Sequence, residues 1–305
     1  MVLRHERGAV TWIDIESPTE AELSATLSEF NIDPRIEDEI ISPTPYPLFI
    51  PFQQYLYLVL HFPTALPEGG TKNQEIDFIV GKGFIITGRY EVIDPIHNLH
   101  KVFEAEELLG LPKSEAKTHV LLERIFRRLY GALGAEVEEV ARRLERIERD
   151  IFAGKERATV RSISEVGRTL LRFDTGLARH QEPLSAFIDE LSSPRFFGDA
   201  FEDHGAHIKA ERDHAVTLIS SYRAVATELR DTNDSLLSTS QNEVMKTLTV
   251  VTFIVFPLSL IAALFQMNVP GAPLSNNPDA FWIVLLFMLF ISGVLAVFVI
   301  KKKWL

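Results

Sequence analysis

The sequence predicts an α+β chain with a membrane-spanning end: an N-terminal cytoplasmic α/β domain, a long helical stalk and two C-terminal transmembrane helices. Three observations carry that prediction. Two runs without a charged residue, Thr247 to Phe265 and Ala280 to Ile300, each come close to the ~20 residues that a helix needs to cross about 30 Å of hydrocarbon. Between Phe201 and Phe265 the only glycine is Gly205 and the only proline is Pro257, so a single helix can enter the first apolar run from polar sequence. Ahead of them, β-branched and aromatic runs alternate with helix-start signals.

The boundaries follow in order. Residues 1–112 read as the α/β domain. Strands are expected at 8–15 (GAVTWIDI), 54–62, 74–81 and 83–90. A helix from Pro18 to Phe30 is announced by Ser17 with Glu20 three residues on, a capping box. Short helices are expected over Asp33–Ile41 and Asp94–Leu109, the latter closed by Gly110 and Pro112. Residues 113–243 form the stalk. Leu133, Val137, Val140, Leu144, Ile147 and Ile151 recur at steps of three and four within a dense mixed-charge run, an amphipathic helix with one solvated face. Gly154-Lys155 breaks it, and a second helix follows through Leu191. The first span is set at 244–265, an outer loop at 266–279, the second span at 280–300 and a basic tail at 301–305.

Composition removes several classes of function. The 305 residues include no cysteine, which excludes disulfides, thiolate metal sites and cysteine nucleophiles. A net charge of −11 argues against nucleic acid as a partner, since that binding rests on Lys and Arg neutralising phosphates. The polar first thirty residues lack the apolar core of a signal peptide. No GxxxxGK[ST] phosphate loop is present, and no nucleophile and base stand at a recognisable spacing, so an enzyme is not expected.

Orientation follows from the lysines. Lys246 precedes the first span and Lys301, Lys302 and Lys303 follow the second, while the loop between has no Lys or Arg. Both termini are therefore expected in the cytoplasm, in an integral protein of the plasma (inner) membrane. Trp282 and Trp304 fall where interfacial aromatic belts are expected.

The two spans differ in character. The second is apolar all round and suits contact with membrane lipid. On the first, Asn242, Met245, Thr249, Thr252, Phe256, Ser259 and Ala263 mark one helical face, the more polar one. One helix cannot surround a pathway, so a polar stripe implies several copies about an axis. The alternative is that the Ser and Thr hydroxyls bond back to the preceding turn. Met245, Leu248 and Phe256 on or beside that face would form apolar constrictions, or simply pack between helices. Lys301 to Lys303 would ring the cytoplasmic exit of such an assembly, or act only as a topogenic cluster. Further back, His204, His207, Glu211 and His214 share a face at spacings of three, four and three, as a set of Zn²⁺ ligands or as solvated stalk residues.

At Gln266-Met267-Asn268 the chain resembles the CorA family of magnesium transporters. The likeness rests on the tail-end hairpin, the polar-striped first span ending in a Met-Asn pair, Asn242-Glu243-Val244-Met245-Lys246, and the closing Lys301-Lys302-Lys303-Trp304-Leu305. Trp12-Ile13-Asp14-Ile15 followed by Pro18-Thr19-Glu20, and Tyr55-Leu56-Tyr57-Leu58-Val59-Leu60, are similar in the N-terminal part.

The resemblance implies a homopentameric funnel whose first spans line an axial pore for divalent cations. It implies no cofactor beyond the cation itself, Mg²⁺ first, as substrate and as regulatory ligand. Asn268 would ring the outer mouth with amide oxygens that hold a hydrated ion through its waters, with Ser259 further in and Asn242 at the cytoplasmic exit; the competing role for Asn268 is capping a turn. Asp231, with Asp234 one turn on, matches a family position for a regulatory divalent ion, though both also suit a solvated helix face. The family's Gly-Met-Asn begins here with Gln266, whose side chain either adds a ring of amides or narrows the mouth. Zinc transport of the ZntB kind, with or without proton coupling, is the alternative within the fold, and a non-conducting membrane-anchored scaffold or sensor is the alternative outside it.

Overall fold

The computed structural model describes residues 1–66, 70–109, 117–266 and 279–302. They divide into two compact units, Met1–Arg230 and Asp231–Leu305.

The first unit is built on one mixed sheet. Its strands are β1 (Val2–Arg7), β2 (Val10–Glu16), β3 (Leu48–Pro51), β4 (Tyr55–Ala65), β5 (Thr71–Gly81) and β6 (Phe84–Arg89). The spatial order is β1-β2-β6-β5-β4-β3. Only β2 and β6 pair in parallel; every other neighbour is antiparallel. Helices α1 (Glu20–Glu29) and α2 (Pro34–Ile41) bring Leu23, Leu27, Ile36 and Ile40 onto one face, against Ile13, Ile15, Tyr57, Val59, Ile79 and Ile86. Helices α3 (Asp94–Leu108), α4 (Thr118–Phe152) and α6 (Gln181–Leu191) cover the other face, where Leu99, Phe103, Phe126 and Phe187 meet Trp12, Leu58, Phe78 and Ile85. Burial on both faces explains why Tyr55 to Leu60 is apolar without alternation.

Two strands escape the sequence reading, both at sheet edges. β1 is polar because its residues alternate between exposed and half-buried. β3 is four residues long and ends in Pro51, two devices that blunt an edge. The capping box also moves. Thr19, not Ser17, caps α1, with its hydroxyl accepting from the Glu22 N–H and the Glu22 carboxylate accepting from the Thr19 N–H. Ser17 sits at φ 42° and donates its hydroxyl to the carbonyl of Tyr90.

The stalk stripe is buried as the pattern requires. Leu133, Val137, Val140, Leu144, Ile147 and Ile151 of α4 are buried, as are Ile163, Val166, Leu170, Phe173 and Leu177 of α5 (Glu156–Ala178). The chain turns between α4 and α5 at Gly154, whose φ of 82° suits glycine. The second stalk helix is not continuous to Leu191: it breaks at Arg179-His180 into α5 and α6. His180 is fully buried there, its Nε2–H donating to the carbonyl of His61 at 2.9 Å and its Nδ1 accepting from the Tyr130 hydroxyl at 3.1 Å.

The expected long helix is present. α7 runs from Glu202 to Gln266, and α8 from Ala280 to Lys301. Gly205 lets α7 approach α6: a Cβ there would lie 2.6 Å from Ile188 Cγ2.

Candidate functional site

The second unit consists of the C-terminal part of α7 and the helix α8. Both are long and apolar enough to cross a membrane. Their large side chains face outward, with Phe256 69 % exposed and Leu286 69 %. A soluble protein would bury such surface, so lipid or further copies of the chain must cover it.

Burial along the spans separates two faces of α7. Val250 is buried, and Ile254, Pro257, Leu258 and Ile261 are half-buried. On α8 the corresponding row is Val284, Met288, Ile291 and Leu295, ending in the fully buried Val299. Phe253 and Phe298 bring their rings to 6.3 Å between these rows. At 3.6 residues per turn, the row from Val250 to Ile261 lies roughly opposite the polar stripe. Asn242, Met245, Leu248, Thr249, Thr252, Phe256, Ser259 and Gln266 are all exposed. α8 therefore packs behind the stripe and leaves it open.

The stripe hydroxyls have a fixed direction. Thr249 donates to the Met245 carbonyl at 2.8 Å, Thr252 to Leu248 at 2.9 Å and Ser259 to Val255 at 2.6 Å. The back-bonding alternative is thus realised. It uses the one donor of each hydroxyl and leaves oxygen lone pairs, so along the span these groups offer acceptors, the polarity a hydrated cation needs.

Gln266 is the last residue of α7, while Met267, Asn268 and Lys303 lie outside the described residues. Lys301 ends α8, and the Lys302 ammonium lies 5.6 Å from the centre of the Phe298 ring. Asp231 and Asp234 are exposed on α7 at the start of the second unit, with Asn233 buried between them.

The histidine stripe does not gather into a ligand set. His207 Nδ1–H donates to Glu123 of α4 at 3.1 Å, and His204 Nδ1–H donates to the other oxygen of the same carboxylate. Glu211 pairs instead with Arg127 at 3.3 Å, and His214 is exposed. Among the described residues no group of three His, Asp or Glu side chains is placed to hold a metal. The partner that redirects the stripe, Glu123, is 81 residues from His204 in sequence, and no local pattern announces it. His119 joins the cluster with its ring 4.9 Å from His204; burial first, then His204 and Lys117, hold it below the ordinary imidazole range.

A second polar cluster went unread in the sequence. Asp14 in β2 is fully buried and accepts from Thr87 Oγ1 at 2.6 Å, Arg89 Nη2 at 2.8 Å and His100 Nε2 at 2.9 Å. Burial pushes its carboxyl up, but His100, Arg89 and Thr87 outweigh that and hold it below the usual carboxylate range.

Comparison with known proteins fits this geometry. Residues 7–302 match the family described as CorA-like Mg²⁺ transporter protein. The cobalt/magnesium transport protein CorA of Methanocaldococcus jannaschii is 22 % identical over 96 % of this chain and 91 % of its own length. The protein of the same name from Thermotoga maritima is 23 % identical, covering 97 % and 83 %. The complete structure of the CorA magnesium transporter from M. jannaschii superposes with a TM-score of 0.83 at 21 % identity, over 99 % of this chain and 94 % of that one. With two apolar helices at its end and the family match running through both units, the chain belongs to the CorA-like Mg²⁺ transporter family: it is a membrane-embedded transporter of divalent cations and not an enzyme.

Proposed function

We propose that five copies of the chain surround an axial pore and pass hydrated divalent cations, Mg²⁺ first and Co²⁺ or Ni²⁺ with it, from outside to cytoplasm. The observation that carries this reading is the open stripe on α7, which faces away from α8 and carries three hydroxyls whose donors are already committed to backbone. A neighbouring α7 is the natural occupant of the space in front of it. The names of the curated relatives support Mg²⁺ and Co²⁺ as cargo.

Chemistry supports a hydrated passenger. Mg²⁺ sheds water reluctantly, and the described span from Thr247 to Gln266 has no carboxylate to strip it. Asn268 supplies the outer amide ring, Met245, Leu248 and Phe256 the apolar constrictions, and Asn242 the inner exit. With both termini in the cytoplasm, a doubly charged ion crossing ~100 mV gains about 4.6 kcal/mol inward, so no nucleotide is needed. Asp231 and Asp234 bind the internal ion that closes the pore, by holding acidic subunits together until the ion leaves. Lys301 to Lys303 encircle the exit.

The test is ion flux into proteoliposomes with Mg²⁺, Co²⁺, Ni²⁺ and Zn²⁺ offered in turn. Mg²⁺ and Co²⁺ enter, and Asn268→Ala alters their ranking. Entry of Zn²⁺ alone would replace the magnesium reading by the zinc one, for which Gln266 in the glycine position is the motive. Absence of flux for all four would leave a scaffold or sensor.

A further inference from the structure

Edge strand β1 is joined to α3 by a hydrogen bond that can hold only one proton. His5 of β1 is half-buried, and its Nε2 lies 2.8 Å from Nδ1 of the buried His100. The other nitrogen of His100 is committed, since Nε2–H donates to Asp14. Trp12 lies flat on the His100 ring, 4.3 Å away and 7° from parallel. The His100 ring is therefore fixed in place and tautomer, while His5 alone has a route to solvent.

Proton counting gives the behaviour. When both rings are neutral, His100 Nδ1 is bare and accepts the His5 Nε2–H. One added proton leaves that bond in place. A second puts N–H groups on both facing nitrogens and two positive charges side by side, and the contact breaks. We infer that His5 and His100 form a proton-operated latch between β1 and α3, closed while the pair holds at most one extra proton and open when it holds two.

The charges around the pair set the stakes. Asp14 and Glu16 come from β2 and Arg89 from β6, with Arg89 bridging both carboxylates at 2.8 and 2.6 Å. From β1, Arg7 reaches Glu106 of α3 at 2.5 Å, and from α4, Arg124 reaches the same carboxylate at 3.3 Å. His97 and Glu104 lie one turn to either side of His100 on α3. Among the described residues, opening the latch leaves Arg7, paired with Glu106 and donating to the Phe103 carbonyl at 3.4 Å, across the seam. It frees the His5 side of α3, whose Glu106 also holds α4.

Hydrogen exchange on the full chain in detergent reads this directly, after correction for the intrinsic pH dependence of exchange. Between about pH 8 and pH 4, protection of the Val2–Arg7 amides falls about tenfold while that of β4 holds, with most of the fall below about pH 6 because the second proton joins a pair already charged. In His5→Gln the fall disappears, because a carboxamide can present either its N–H or its oxygen to His100. A second readout needs no change at the pair. In a Trp282→Phe/Trp304→Phe background the remaining Trp12 emission drops over the same pH interval, as the imidazole pair beside it takes up its second proton. Constant β1 protection in the wild type, an acid response retained by His5→Gln, or pH-independent Trp12 emission would each overturn the latch.

Discussion

Two buried aspartates of the first unit are pushed in opposite directions by their surroundings, and they answer substitution differently. Asp14 is held ionised by Arg89, His100 and Thr87. Its folded value lies below its unfolded one, so the stability it contributes is full at neutral pH and is lost as pH falls through the folded value. Asp77 in β5 is fully buried too, but its only hydrogen bond among the described residues is from the Tyr57 hydroxyl to Oδ1 at 2.6 Å, and Oδ2 has no partner there. Burial pushes its carboxyl well above the ordinary range, with Glu75 and Glu39 adding to the push. Burial thus favours its acid form over the anion, and burying it costs stability as pH rises past its ordinary value. Asp14→Asn leaves the buried Arg89 facing only the half-buried Glu16 and costs about 3 kcal/mol. Asp77→Asn puts a neutral group of the same shape where burial disfavours the anion, and costs less than about 1 kcal/mol. Thermal unfolding of the two variants in detergent at neutral pH checks the contrast. Sequence alone gave no sign of it: Asp14 meets its partners 73 to 86 residues away, and an aspartate in a strand looks the same whether charged or not.

At the scale of elements, glycines separate propensity from packing. Gly131 lies in α4 with nothing near where a Cβ would be, whereas Gly205 in α7 faces Ile188 at 2.6 Å. Helix propensity alone favours alanine at both by about 1 kcal/mol. Gly131→Ala therefore raises the unfolding temperature. Gly205→Ala lowers it, because the added methyl forces α7 off α6 at a cost of about 1–3 kcal/mol. A rise at both positions would show that α7 and α6 are free to part. What the sequence made legible at this scale has a physical reason. The spans, the α4 stripe and the polar face of α7 repeat over many turns, and repetition is what periodicity detects. β1 and β3 were missed because edge strands are short or polar by necessity, and the Arg179-His180 break because a buried histidine, not a glycine or proline, marks it. The histidine stripe left two readings open, metal ligands or solvated residues; its spacing is real, and Glu123 and Arg127 on another helix decide where the side chains turn.

For the whole molecule, the decisive feature is that α7 belongs to both units. It begins at Glu202 inside the first, passes Asp231 and Asp234, and ends at Gln266 beyond the stripe. Under the proposed regulation, an ion bound near Asp231 is connected to Thr249 and Thr252 along one helix without any intervening loop; the hydrogen-bond ladder loses a bond only beyond them, at Pro257, which has no N–H. A stiff rod of this kind transmits a displacement that a flexible linker would absorb. Ser240 is exposed and lies between the acidic pair and the stripe. Ser240→Pro removes the N–H that bonds to residue 236 and crowds that carbonyl, costing about 3 kcal/mol of helix continuity. The expected outcome in proteoliposomes is cation entry that no longer declines when Mg²⁺ is loaded inside, while Ser240→Ala declines as the parent does. A mass measurement in detergent distinguishes lost coupling from lost assembly. If Ser240→Pro assembles, conducts and still shuts on internal Mg²⁺, the closing signal reaches the stripe by contacts between subunits rather than along α7.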